Sequence, residues 1–297
     1  MSERLRLTIS IDDTRLSMLV AGPESGAPVL LLHGLPASAE LWRVGLSKLS
    51  QAGFRVFAPD LPGYGQTSLP HGADRSLRGA AEALATWLRQ DGVLPVWIVG
   101  HDLGGGVAQI MAVHYPELVN CLTLSHAAVE DLWPIPSVRL LRLLARLGLY
   151  PMLAASGLID KNPYFARQLR KSVADPDLFD DSHLLRRVFF DTKVTDPRGR
   201  REFNAHLAAL DNRHTAAVAP RLRGIQAPTL LLWGRDDPFQ PWESTGVRLR
   251  QLLPDSHIIL LNNASHFAML DQPDAFYGAL IEWRQSQPPP VRHSAAA

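Results

Sequence analysis

Val96-Trp97-Ile98-Val99-Gly100-His101-Asp102-Leu103-Gly104-Gly105-Gly106 is the stretch from which the fold is read. A short apolar run rich in β-branched residues meets a glycine, a polar pair and three more glycines. Val107-Ala108-Gln109-Ile110-Met111-Ala112 then opens a helical pattern. Physically this is a buried strand, a very tight turn and a helix. Asp102 stands at the tip in the form G-x-D-x-G, and the glycines at 100 and 104 remove side chains that would clash there.

Working outward, Leu5–Ile11 alternates apolar and polar residues as a half-buried strand does, and Leu16–Val20 returns after Asp12-Asp13. Short apolar runs recur at Val29–Leu32, Phe54–Ala58, Leu118–Leu124, Thr229–Trp233 and His257–Ile258-Ile259-Leu260-Leu261, each bounded by turn formers. Helical patterns lie between them at Ala37–Gln51, Leu77–Gln90 and Pro273–Trp283. From about Val129 to Gly224 the strand signals stop and helical segments are broken at Pro134, Pro136, Pro151, Pro163 and Pro176. Alternating strands and helices imply an α/β fold, a mostly parallel sheet flanked by helices with an inserted helical cap. The expected division is a core over 1–128 and 225–285, a cap over 129–224 and a flexible tail over 286–297. In such sheets ligands lie beyond the carboxyl ends of the strands, where His33, Asp60, Asp102, His126 and Asp237 all fall.

The chain of 297 residues, 46% hydrophobic, is long enough to bury a large core. A formal net charge of +1 gives no electrostatic reason to invoke nucleic acid or an anionic membrane, so a small-molecule substrate is the expected partner. The single cysteine, Cys121, forms no intrachain disulfide and reads as a buried structural thiol in a reducing compartment. No secretory signal follows the charged N-terminal residues, and no apolar run reaches the about 18 residues of a membrane span, so a cytoplasmic location is expected. Oligomeric state is not legible.

Two later blocks place partners for Asp102. Trp233-Gly234-Arg235-Asp236-Asp237-Pro238-Phe239-Gln240-Pro241 leaves one strand, and Asn262-Asn263-Ala264-Ser265-His266-Phe267 leaves the last. With His33-Gly34-Leu35-Pro36 and Asp60 through Ser68, these blocks make the chain resemble an α/β-hydrolase-fold enzyme, and within that superfamily the aspartate-nucleophile branch of epoxide hydrolases and haloalkane dehalogenases. The resemblance covers about Leu5–Val129 and Gly224–Trp283 and has no diagnostic extension into the cap.

The resemblance implies Asp102 as nucleophile, Asp237 (by motif spacing, over Asp236) as acid and His266 as base, with the backbone N–H groups of Leu35 and Leu103 as oxyanion hole. No G-x-S-x-G occurs, which argues against an ordinary serine esterase. A carboxylate, already ionised near neutral pH, can open a strained or activated sp³ carbon to give an alkyl ester that His266-activated water then hydrolyses. Epoxide opening to a diol leads; hydrolytic dehalogenation is the alternative, and a ligand receptor or non-hydrolytic biosynthetic catalyst on the same fold is a third. Leu103 stands where both subfamilies usually carry tryptophan. Two cap tyrosines, Tyr150 and Tyr164, are candidates to protonate an alkoxide, and Trp133 could offer one indole donor to a halide. His33, His101 and His126 flank the site; for His33 and His101 loop orientation is the leading role. Asp60 reads as structural.

The glycines support no phosphate cradle. Gly106 replaces the lysine a P-loop needs, and Gln109 replaces the third glycine of a dinucleotide fingerprint. No His or Cys cluster has metal-ligand spacing, so neither a metal nor a cofactor is expected. Ser137–Leu149, with Arg139, Arg142 and Arg146 among leucines, reads as a cap helix over an apolar pocket in preference to a membrane-surface helix.

Overall fold

A computed structural model describes residues 5–159, 161, 163–179 and 186–288. The strands are β1 (Leu5–Ile11), β2 (Thr14–Ala21), β3 (Ala27–Leu32), β4 (Phe54–Pro59), β5 (Val96–His101), β6 (Val119–Ser125), β7 (Thr229–Gly234) and β8 (His257–Leu261). They form one sheet in the order β1-β2-β4-β3-β5-β6-β7-β8. β2 pairs antiparallel with β1 and β4, and every later pairing is parallel. The central strands are apolar throughout because both faces are covered: all residues of β5 and β7 are buried. One core cluster lies on each side of the sheet, one around Trp87, Ile98 and Met111, the other around Trp42, Trp97 and Phe276.

Helices α1 (Arg43–Gln51), α2 (Leu77–Gln90) and α3 (Leu103–His114) alternate with strands. The first differs from expectation, since Ala39–Trp42 is a separate 3₁₀ turn and Val44 is exposed. Between β6 and β7 come α4 (Pro136–Arg146), α5 (Tyr150–Ala155), α6 (Pro163–Arg170), a π-helical stretch (Arg186–Thr195), α7 (Pro197–Ala209) and α8 (Arg213–Val218). Proline stands in the first turn of α4, α5, α6 and α7, where its missing N–H has no intrahelical partner to lose. The prolines therefore open helices as well as ending them.

After β7 come α9 (Val247–Leu252), α10 (Ala268–Asp271) and α11 (Pro273–Ser286). The expected tail is corrected at its start, because α11 runs through Ser286 with Trp283 and Arg284 buried; residues 289–297 lie outside the described set. No helix among the described residues is long and apolar enough to cross a membrane.

α4 buries Ala145 and turns Val138 and Leu141 to a cavity, but Leu140 and Leu143 are exposed. Its leucines thus occupy two faces, and only one of them covers the pocket.

Candidate active site

The site is built where the carboxyl ends of β3, β5, β7 and β8 converge. Asp102 is the residue between β5 and α3, with φ 50° and ψ −117°. A non-glycine residue in that region carries strain of about 1–3 kcal/mol and persists only when its surroundings hold it there. Here they do: its N–H donates to the Ser125 carbonyl (3.1 Å), and its carbonyl accepts from Gly105 (3.0 Å), Gly106 (3.2 Å) and Ala128 (3.0 Å). The turn also needs close approach, since a Cβ on Gly104 would lie 2.4 Å from the Leu32 carbonyl oxygen.

The Asp102 carboxylate is held at both oxygens. Oδ2 accepts from the Leu35 backbone N–H at 2.8 Å, and the Leu103 N–H also donates to the carboxylate. Oδ1 accepts from Gln240 Nε2 at 2.7 Å. Burial raises the Asp102 pKa above its ordinary value, while His266 and the two backbone N–H groups oppose that rise. Leu35 reaches this position because Gly34 lies against the aspartate: a Cβ there would stand 2.4 Å from Asp102 Oδ2.

Beyond β7, the Asp237 Oδ1 accepts from the N–H groups of Phe239 (2.7 Å) and Gln240 (3.1 Å), which wraps the loop around the carboxylate. Its Oδ2 pairs with His266 Nδ1 at 2.9 Å. Asp236 is exposed and its neighbour alone makes the pair. Burial would raise the Asp237 pKa, but the charge and hydrogen bond of His266 hold it well below the ordinary carboxylate range. For His266 burial lowers, while Asp237 and then Asp102 raise, and the net direction is up. His266 Nδ1 is thereby fixed on Asp237, leaving Nε2 for chemistry.

Asp102, Leu103, Gln240 and His266 border a cavity of about 170 Å³. Its walls are mostly apolar and include Leu35, Trp133, Leu141, Phe189, Phe203, Phe239 and Phe267. No Lys or Arg is among the described residues that border it.

Of the other sequence candidates, Tyr150 borders this cavity, 2% exposed and edge-on to Phe203 with ring centroids 5.2 Å apart. Tyr164 does not: it sits on α6 with 46% of its surface exposed. Trp133 borders the cavity, but its indole N–H is used within the segment between β6 and β7, donating to Thr215 Oγ1 at 2.8 Å.

Of the histidine candidates, none of the three is among the residues that border the cavity. His33 Nε2 accepts from the Leu61 N–H (3.0 Å), so its Nδ1 donates to the Gly34 carbonyl (3.0 Å), tying two loops together. His126 Nε2 accepts from the Gly234 N–H (2.8 Å), and burial drives its pKa down to about 3. His101 is buried behind His266, ring centroids 4.8 Å apart; burial and then its histidine neighbours push its pKa well below the ordinary value. Asp60 is structural: its carboxylate accepts from Arg6 (2.7 Å), Ala39 N–H (2.9 Å) and Gln66 N–H (3.0 Å).

Two residues near Asp102 were not singled out from the sequence, and of them Gln240 borders the cavity. Gln240 lies inside the quoted acid block, but nothing in its spacing reveals a contact to Asp102. Tyr64, in the loop after β4, is buried with its ring 4.9 Å from His33 and 4.7 Å from His206, and its pKa is raised by burial and then by Asp102 and Tyr150. Its neighbour Gly63 resembled a plain turn.

Strand order, elbow, acid and histidine are now in place, and the profile of the alpha/beta hydrolase fold family matches residues 27–273. The chain belongs to that family. Within the α/β-hydrolase fold, a 2-hydroxy-6-oxononadienedioate/2-hydroxy-6-oxononatrienedioate hydrolase 2 of Pseudomonas putida is 29% identical over 275 residues, covering 88% of this chain and 89% of that protein. Epoxide hydrolase 4 of Homo sapiens is 27% identical over 276 residues, 86% of this chain and 72% of that protein. Among solved structures, an alpha/beta hydrolase fold protein from Burkholderia ambifaria superposes with TM-score 0.79 at 23% identity, over 95% of this chain and all of that one, a likeness of fold.

Proposed function

We propose that this α/β-fold hydrolase opens epoxides to diols through an ester on Asp102. The observation that carries the reading is the 2.8 Å bond from Leu35 N–H to Asp102 Oδ2. With a serine at the elbow, such N–H groups would be free to receive a substrate carbonyl oxygen. Here the Leu35 N–H holds the second oxygen of the nucleophile itself. That suits attack on a saturated carbon, followed by attack of water on the aspartyl carbonyl.

In the first step Oδ1 forms a bond to an epoxide carbon and the carbon–oxygen bond of the ring breaks. Tyr150, at the cavity wall, gives its proton to the alkoxide. In the second, His266 Nε2 takes a proton from water as the oxygen adds to Cγ, and negative charge develops on Oδ2, already facing the Leu35 N–H. Collapse breaks the Cγ–Oδ1 bond, and His266 returns the proton to the departing diol; the Asp102 carboxyl, which now carries the water oxygen and its remaining proton, releases that proton and the Tyr150 phenolate takes one back through solvent, which restores both groups. Asp237 stabilises the imidazolium that forms between these events. Residues 129–224 act as the cap over the core of 1–128 and 225–285.

The small, mostly apolar lining, with no Lys or Arg among its described residues, favours a neutral apolar substrate. A dicarboxylate, as in the name of the Pseudomonas relative, would meet no Lys or Arg among the described lining residues. Dehalogenation is disfavoured because Leu103 offers no side-chain donor and the Trp133 N–H is tied to Thr215.

The test is a panel of styrene oxide and hexyl bromide with wild type, Asp102→Asn and His266→Gln. Diol release by wild type, none by Asp102→Asn and a substrate-sized mass gain in His266→Gln are expected. Full activity in Asp102→Asn refutes the nucleophile, and bromide release without diol formation replaces epoxide by halide chemistry. Binding without turnover would make the protein a receptor.

A further inference from the structure

We propose that Gln240 is a positioning residue of the alkylation step: its amide clamps the Asp102 carboxylate so that Oδ1 is the oxygen presented to the electrophile. The inference rests on the reading of Asp102 as the alkylated nucleophile and adds a residue to it.

The geometry is direct. Gln240 Nε2 donates to Oδ1 at 2.7 Å while Leu35 N–H donates to Oδ2 at 2.8 Å. The terminal torsion of aspartate is intrinsically broad, so a carboxylate held at one oxygen can rock about that bond. Donors on both oxygens fix its plane. Each carboxylate oxygen has two acceptor sites, so the amide takes one on Oδ1 and leaves the other for the cavity. A neutral amide also stabilises the charge without the ion pairing that a lysine or arginine would impose on the nucleophile.

Gln240 is itself unusually well held. Its N–H donates to Asp237 Oδ1 (3.1 Å), its carbonyl accepts from Trp233 Nε1 (2.9 Å), and Pro241 follows with φ −57°. The side chain is 6% exposed and borders the cavity. Its Oε1 is buried without a hydrogen-bond partner among the described residues. A buried acceptor left unpaired is unfavourable, so a glutamine here is poorly explained by stability and well explained by what Nε2 does. One residue therefore bonds both carboxylates of the site, Asp237 through its backbone and Asp102 through its side chain.

Loss of the clamp has a readout that packing alone does not move. A donor on a carboxylate favours the charged form, so its removal raises the pH at which Asp102 becomes an effective nucleophile. The experiment measures adduct formation by intact-protein mass with styrene oxide in His266→Gln, where the ester persists, and in His266→Gln/Gln240→Met, across pH. The acid limb of ester formation is expected to move up by about one pH unit, with a plateau rate about tenfold lower. If the double variant does not fold, Gln240→Asn, which withdraws the same amide by one methylene, replaces Gln240→Met and is expected to give the same shift. Adduct in the parent with limb and plateau unchanged in the Gln240 variant overturns the inference alone. No adduct in the His266→Gln parent overturns the alkylation reading and the inference with it.

Discussion

Gly34→Ala isolates the contact that shapes the site. Gly34 does not occupy the left-handed region, so alanine is permitted by the backbone and the conflict is with Asp102. The added Cβ would lie 2.4 Å from Asp102 Cβ, 2.4 Å from Oδ2 and 2.8 Å from Cγ. Ordinary contact begins at 3.4 Å, so the carboxylate and the Leu35 turn must separate by about 1 Å. Misplacement of that size costs about 10²-fold in a positioned reaction, and losing one oxyanion donor costs about 10²–10³. Ester formation is therefore expected to slow by about 10²-fold and ester hydrolysis by about 10²–10³-fold. Single-turnover quenching with styrene oxide, read by intact mass and diol release, separates the steps, and a thermal melt establishes that the variant is folded. Both steps within about threefold of wild type would refute the packing of Gly34 against the nucleophile as the basis of the site.

Three more expectations follow from the same contacts. Because the His266 pKa is raised above 6.5, hydrolysis of ester already formed is fully supported above it and lost as pH falls through it; ester formed at neutral pH and then transferred to lower pH should persist longer as pH falls through the histidine range, and an unchanging hydrolysis rate would contradict the assignment of the base. His126 and His206 have folded pKa values of about 3 and about 4 against 6.5, so they remain neutral in the fold and take up protons on unfolding; their contribution is intact above 6.5 and lost at about 1.4 kcal/mol per pH unit for each histidine as pH falls, partly offset by His266, whose shift has the opposite sign. Denaturant titrations of His206→Leu should lose about one such slope, and an unaltered slope would count against its being buried neutral. Trp133→Phe should lower stability by about 1–3 kcal/mol through loss of the bond to Thr215, yet leave turnover of styrene oxide within about threefold; a much larger loss of turnover would return the indole to the chemistry.

The sheet was legible because its central strands are buried on both faces, which makes them short continuous apolar runs between turn formers. The elbow was legible because a tight turn restricts its neighbours to glycine, leaving a pattern along the chain. Asp237 and His266 were visible for the same reason, each at a fixed place after a strand. The cap was not. Its helices bury irregular faces, as α4 does, and the π-helical run Arg186–Thr195 has no period by which to be recognised. Tyr150 and Tyr164 looked equivalent in sequence, and only packing separates the buried one from the exposed one. Gln240 was hidden because its partner lies 138 residues away, and a side-chain amide leaves no local signature of such a contact.

Trp133 and Thr215 stand at opposite ends of the segment between β6 and β7, and the bond between them knots its entrance to its exit. Thr215 Oγ1 also reaches the carbonyls of Glu130 (2.7 Å) and Asn212 (3.0 Å), and Arg248, from the core, grips the Glu130 carboxylate. Swinging the segment open as a door on two independent hinges would strand a buried indole N–H, at about 1–3 kcal/mol. The middle of the segment is tied to the core as well: Ser38 Oγ donates to the Val188 carbonyl (3.1 Å), the Phe267 N–H to the Ser172 carbonyl (2.9 Å) and the Ala174 N–H to the Asp271 carboxylate (2.8 Å). Phe189 and Phe267 pack with ring centroids 5.1 Å apart at the wall of the chamber of about 170 Å³, so opening it on this side means separating packed aromatic rings as well as hydrogen bonds.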